Sequence, residues 1–447
     1  MSNRSESKGR LAWTKVETDK LRLILKNHAQ FLARKPGGKR AMLAFHDLSG
    51  LDLRGLDLSE ADMTGARLQR TRLERTQLRA VNLFGADLRM AALNHADLTR
   101  ADLRGTCMRG ADLSDASLVD ADVREAQLAR YDDRGNPQNL EFETLPAELS
   151  AIVAQRADLT RAQLSKAIAL KTDFSGARLQ HTNFRQADLR NSILVGAAME
   201  GADLREADLS GSKMAGAVLS DAQITGARFQ DADIRGALLD TGMRDAPEFF
   251  DAVRARLRED LSEQLDNILQ EHKRWVDSDG GSGERANLCD ADLSDLDRSG
   301  LRLAAALMER CVLRGARLAG SNLAMAQGLY ADLRESDLSK SDLRGVNLQQ
   351  AALHNADLTE ADLGPVENIG RQGQVWRTNL ENAKLAGASL RGARLPMARL
   401  GGADLRGCDL RGCELRDADL SGADLRDTVL TDANLDGAAL DNARRED

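Results

Sequence analysis

The chain has 447 residues, a net charge of −8 from 62 Lys and Arg against 70 Asp and Glu, and only 3% aromatic residues, too few for an ordinary globular core of that length. The charge is mixed, without the net basic face and interleaved aromatics that direct nucleic-acid binding needs. No apolar run reaches membrane-spanning length, Met1–Arg10 lacks a hydrophobic signal core, and the five cysteines lack metal-ligand spacing, so a reduced, cytoplasmic setting without membrane contact is expected.

Residues 1–44 read as a disordered tail, about 1–15, and an N-terminal helix. Leu21, Ile24, Leu25, His28 and Leu32 recur at helical spacing between Val16 and Arg34, and Pro36-Gly37-Gly38 ends the pattern. A leucine every fifth residue then takes over across 45–129, from Leu48, Leu53 and Leu58 to Leu128, with Leu51 and Leu56 standing where later repeats carry alanine. Residues 130–156 break the rule. Arg134-Gly135-Asn136-Pro137 signals a turn, and Leu149, Ile152 and Val153 after Leu145-Pro146 predict a short helix to about Gln155. The rule returns over 157–241, with Phe174, Phe184 and Phe229 in leucine positions and a weak member at Ala169. Across 242–284, Ala246-Pro247 reads as a helix start. Phe249, Phe250, Val253, Leu257, Leu261, Leu265, Ile268, Leu269 and Trp275 form one stripe of a long amphipathic helix, ended by the Gly-rich stretch Asp279–Gly283. Repeats occupy 285–363, with faults at Arg298 and Gly328. Residues 364–377 form a loop, and 378–445 form the last repeat block.

A period of five fits neither regular element. On a helix the leucines would wander around the barrel, and on a continuous strand they would alternate faces. They share one interior only if the chain turns once per repeat and successive coils stack. In the last block Leu405, Leu410, Leu415 and Leu420 follow the small residues Ala403, Cys408, Cys413 and Ala418 by two, with Asp404, Asp409 and Asp419 between. This pattern resembles the pentapeptide repeat family, A(D/N)LXX. The resemblance implies a mainly β fold: a right-handed quadrilateral parallel β-helix, four pentapeptides per coil, with the leucine and the small residue pointing inward. The helical segments would then be caps and insertions.

Ile24-Leu25-x-x-His28-x-x-Phe31 parallels Ile268-Leu269-x-x-His272-x-x-Trp275. Each continues with a Gly-Gly pair and Arg-Ala-x-Leu, at Arg40–Leu43 and Arg285–Leu288. A tandem duplication follows, with the helix covering the open start of each solenoid.

No catalytic constellation or cofactor motif emerges. Gly280-Gly281-Ser282-Gly283 follows a helix and lacks the Lys-Ser/Thr ending of a phosphate loop. His28 and His272 fit either a ligand or switch pair or packing histidines facing the first coil; the lack of another His or Cys at ligand spacing favours packing. The recurring aspartates, among them Asp87, Asp97 and Asp102, fit turns better than metals, and Arg after leucine suggests ion-pair ladders between columns. From Asp417 onward acid dominates, so the C-terminal coils are expected to be acidic.

Two functions remain open. One is a non-catalytic protein–protein interaction scaffold with an unidentified protein partner. Phe249, Phe250 and Trp275 would be presented to that partner, or to a second protomer in self-association through the helical segments. The other is a DNA mimic acting on DNA gyrase or another type II topoisomerase, which the resemblance implies for some family members; Asp419, Asp424, Asp427 and Asp432 would carry it here.

Overall fold

A computed structural model describes residues 13–128, 143–243, 246–255, 258–367 and 375–445. The repeats wind into a β solenoid. The residue before each leucine bridges in parallel to the residue twenty positions on, as in Asp47↔Arg67, Arg67↔Asp87 and Asp188↔Asp208, so four pentapeptides complete a turn.

The five-residue period has a backbone cause. The second residue after each leucine is left-handed: Gly50 (φ 70) and Gly85 (φ 64), but also Arg70 (φ 55), His95 (φ 58) and Glu206 (φ 61). That corner redirects the chain, and the next small residue closes the turn, Ala86 N–H donating to Leu83 O at 2.9 Å. Between corners the backbone is fully used. Leu68 N–H donates to Asp87 O of the following coil (2.7 Å), and Asp87 N–H donates to Ala66 O of the preceding one (2.9 Å).

The interior is a column of leucine and alanine. Phe174 and Phe184 occupy leucine slots edge to face, 6.2 Å apart. Hydroxyls and thiols in the small slot donate to a leucine carbonyl, some to the leucine three residues before, as Thr106 does to Leu103 O at 2.7 Å, and others to one a coil back. Thr71 Oγ1 reaches Leu48 O at 2.9 Å, Cys408 Sγ reaches Leu385 O at 3.0 Å and Cys413 Sγ reaches Leu390 O at 2.7 Å. Burial pushes both thiols up to about 12, so they behave as small apolar residues.

The chain forms two compact units, Met1–Asp233 with Leu239–Ala252, and Ile234–Leu238 with Val253–Asp447. In the first unit, β1 (Thr14–Lys15) pairs in parallel with β2 (His46–Asp47), and α1 spans Thr18–Leu32. The expectation of a disordered tail through residue 15 is corrected for Trp13–Lys15 alone: Trp13 Nε1 donates to Gly65 O (2.9 Å) and the Arg67 guanidinium lies 4.1 Å over the indole. Residues 1–12 lie outside the described residues.

The short helix expected at 145–155 does not form. β3 (Ala126–Leu128) and β4 (Glu143–Leu145) make an antiparallel hairpin, and coils resume at once, with Glu148↔Ile168 and Val153↔Asp173 bridged. The inward slots of this fold recur at alternating steps of two and three. Leu149 and Ile152, both buried, therefore mimic helical spacing, whereas Val153 faces out. The Arg134–Pro137 turn lies outside the described residues. Ala169, the weak member, is buried in its leucine slot.

The long helix expected from Pro247 is also corrected. Pro247–Phe249 is a single 3-10 turn, and α2 runs Arg258–Asp277 in the second unit. Phe249 stands twenty residues after Phe229 and packs on it at 4.6 Å, taking a solenoid slot in the first unit. Leu265 is buried, and Ile268 and Leu269 pack on the coil below; Leu257 and the Leu261 side chain lie outside the described residues. Arg298, the faulty repeat, turns out of its slot and pairs with Asp266 of α2 at 2.8 Å. Within 364–377, β5 (Val366–Glu367) and β6 (Val375–Trp376) form a second antiparallel hairpin.

Leu98→Ala, in mid-column, is expected to lower stability by about 2–5 kcal/mol. Leu440→Ala, half-buried in the last described coil, should lose well under half as much. Chemical denaturation of the two variants beside the parent checks both.

Candidate functional site

The outward positions carry the surface chemistry, and one local unit dominates them. Where Asp precedes the leucine and Arg follows it, the two clamp across it. Arg104 donates Nε to Asp102 Oδ1 (2.9 Å), Nη2 to Oδ2 (2.7 Å) and its backbone N–H to Oδ1 (3.2 Å). The same clamp closes Asp87–Arg89, Asp188–Arg190, Asp203–Arg205, Asp404–Arg406 and Asp424–Arg426. With serine after the leucine, the hydroxyl replaces the guanidinium, as when Ser114 Oγ donates to Asp112 Oδ1 at 2.6 Å. Clamps in adjacent coils meet in a zigzag, Arg104 Nε standing 3.8 Å from Asp122 Oδ2.

The hydrogen-bonded Arg205 guanidinium holds the Asp203 carboxyl below the usual range against the opposing effect of burial, and Arg54 holds Asp52 down to about 2. Exposed pairs of this kind are worth about 0–1 kcal/mol each. Their larger effect is on the field: each aspartate clamped by arginine becomes a locally neutral pair, while hydroxyl-capped ones such as Asp112 keep their charge. The ladder expected between columns is thus built first within each repeat.

The acidic residues of the last coils are not brought together. Asp419 accepts the Ser421 N–H at 3.0 Å in the column of Arg399, and Asp424 is clamped by Arg426 in the column of Asp404. Asp427 (φ 59) and Asp432 (φ 59) are exposed on two different left-handed corners. They form no continuous acidic face.

Of the aromatic residues expected to meet a partner, Phe250 is 79% exposed, but Phe249 is 0% exposed within its unit. Trp275 is half-buried and belongs to the start of the second unit, where its ring stacks on His272 (centroids 5.6 Å, interplanar 14°).

That junction has a counterpart in the first unit. His28 Nδ1 accepts the Ala41 N–H at 3.1 Å and His272 Nδ1 accepts the Ala286 N–H at 3.1 Å, each fastening its helix to the first inward residue of the solenoid. His28 stacks on Phe31 at 5.9 Å. Lys39 N–H donates to Asn27 O (3.1 Å) and Glu284 N–H to Glu271 O (3.2 Å). A Cβ on Gly38 would lie 2.4 Å from Phe31 N, and one on Gly283 2.3 Å from Glu271 O, so both junctions need glycine for close approach. The duplicated sequence therefore folds into duplicated geometry. The Gly37-Gly38 pair hinted at this constraint in the first unit and the Gly-rich stretch ending at Gly283 in the second; the contact of Trp13 with Arg67 had no sequence signal.

Among the described residues, no group of three His, Cys, Asp or Glu is placed to hold a metal ion. Gly328, standing in a leucine slot, leaves an apolar void of about 10 Å³ among Met308, Leu323, Leu333, Leu343 and Leu348, too small for a ligand.

Comparison with known families matches pentapeptide repeats across 47–130, 157–240, 330–364 and 377–444, more than half of the chain. Comparison with curated proteins gives no match. Among solved structures, the chain is similar to HetL, a pentapeptide repeat protein involved in heterocyst differentiation regulation from the cyanobacterium Nostoc sp. strain PCC 7120 (21% identity over 92% of this chain and 94% of that one, TM-score 0.13). It is similar to Rfr23, a pentapeptide repeat protein from the cyanobacterium Cyanothece 51142 (20% identity, 41% and 99% covered, TM-score 0.15). It is also similar to QnrB1, a plasmid-mediated fluoroquinolone resistance protein (20% identity, 36% and 84% covered, TM-score 0.20). At these TM-scores no residue role is carried over from those proteins.

His272→Ala removes the acceptor of the Ala286 N–H and leaves Trp275 without its stacking partner; a loss of about 1–3 kcal/mol is expected. Gly283→Ala should weaken the same junction without touching the histidine. Both effects are read from amide exchange at Ala286 against Leu98, which should not change.

Proposed function

The chain belongs to the pentapeptide repeat family, and from that premise we propose that it is a non-catalytic protein–protein interaction scaffold. The observation that carries this reading is the lattice of Asp–Arg clamps. It sets charged groups in fixed register along the faces and neutralises many of them within the repeat, so the faces offer a hydrogen-bonding pattern more than bulk charge. Protein partners are recognised by such patterned, near-neutral surfaces. In this proposal the coil is right-handed and quadrilateral, α1 and α2 are caps on the open starts of the two solenoids, and the partner is a protein rather than nucleic acid or membrane. Exposed Phe250 is the aromatic anchor best placed for a partner or a second protomer. Buried, carbonyl-bound Cys408 and Cys413 suit a reducing, cytoplasmic setting.

Mimicry of DNA toward a type II topoisomerase is the weaker reading, since Asp419, Asp424, Asp427 and Asp432 point from separate columns and corners and Asp424 is already paired. A gyrase supercoiling assay titrated with the purified protein separates the two. No inhibition at any dose is expected. Inhibition at micromolar protein that is lost when those four aspartates become asparagine would overturn the scaffold reading in favour of mimicry.

A further inference from the structure

The two helix–coil junctions hold the deepest titratable groups of their kind that the surface chemistry leaves unused. Leu21 and His28 are the buried residues of α1, and His272 is buried in α2. Each ring is fixed by one polar bond, and its direction matters: the backbone N–H of Ala41 or Ala286 donates, so Nδ1 must be bare. The opposite nitrogen, Nε2, carries the proton, is buried in both rings, and lacks a hydrogen-bond partner of ordinary geometry. Protonating Nδ1 would set N–H against N–H inside a contact already closed by Gly38 or Gly283. The ring cannot remain seated in that state.

We propose that the two junctions are acid-sensitive latches. Opening frees α1 from Ala41 and Leu43, or α2 from Ala286 and Leu288, and uncovers the edge of the first coil. Charged groups face each ring. His28 faces the carboxylates of Asp57 and Glu60 as well as Arg40; His272 faces Arg285 and Arg302. Burial lowers both histidines from the usual range. At His28 the Asp57 carboxylate, the Ser59 backbone and Glu60 oppose that effect while Arg40 adds to it; at His272 Arg285 and Arg302 add to it and the Ala304 backbone opposes it. The sign follows from linkage. A histidine lowered in the folded state contributes its full stability above its unfolded value of about 6.5, and loses it as pH falls from there through the folded value. Across that window the closed latch weakens about tenfold per pH unit. His354, pushed down to about 4 by burial with help from Lys384, belongs to neither junction.

The test is amide hydrogen exchange on the full chain at pH 7.5, 6.0, 5.0 and 4.5, corrected for intrinsic rates. Ala41 and Ala286 should both begin to lose protection below about pH 6.5, by up to about tenfold per unit, and Leu98 in mid-column should hold. Glutamine offers an oxygen acceptor that does not titrate, so His28→Gln should flatten the response at Ala41 alone and His272→Gln at Ala286 alone. Histidine ring titration by NMR, which needs no variant, should place both rings below the ordinary range. Flat protection in the parent, an undiminished response in the glutamine variants, or both rings titrating in the ordinary range would overturn the proposal.

Discussion

Everything in this molecule depends on one backbone constraint, the left-handed residue two places after each inward leucine. It breaks the extended chain after every fifth residue and lets leucines five apart share one interior. For a non-glycine residue that conformation costs about 1–2 kcal/mol, yet arginine, glutamate, methionine and histidine adopt it here repeatedly. Two gains outweigh it. The corner amide donates to the next coil, as Arg70 N–H does to Arg89 O at 3.0 Å, and each corner seats one more leucine, whose burial contributes about 1.5–3 kcal/mol. Neither gain exists for a single repeat, so the corners are stable only as a stack, and each stack must manage its open start.

The same geometry decides the surface. Because three of five side chains must face solvent in fixed columns, the chain places a great many charges at coil spacing. Unpaired, like charges stacked in a column would oppose coil stacking. The Asp-Leu-Arg clamp resolves this inside each repeat, before any neighbour is needed, and the zigzag contacts between coils then add to it. A surface so arranged is suited to recognition by pattern. The acidic bias of the C-terminal sequence is real in composition but does not become a field, because consecutive repeats face different sides.

The repeat blocks, the inward slots and the duplicated helix–coil unit were all legible from spacing, and the paired His28 and His272 were visible as equivalents. Two helices were misplaced for one reason: inward slots at steps of two and three imitate helical periodicity over short stretches. Leu149 and Ile152, and likewise Phe249, were therefore read as helical when they fill the solenoid. The strand at Thr14–Lys15 depends on Trp13 finding Gly65 and Arg67, residues far along the chain, and no local pattern announces such a contact. The left-handed corners were hidden because their occupants are chemically so varied; the glycines alone hinted at them.

The most direct test of this account is a glycine scan of the corners. At Arg70, Arg100 and Glu206, replacement by glycine should leave the thermal midpoint unchanged or raise it, because relief of left-handed strain compensates the flexibility that glycine adds to the unfolded chain. Gly85→Val, at a corner with open space around the new side chain, should lower it through backbone strain alone. If the three glycine variants instead lose about 0.5–1 kcal/mol each, as glycine does within ordinary strands or helices, and Gly85→Val is tolerated, the corners are not the governing constraint and the account fails.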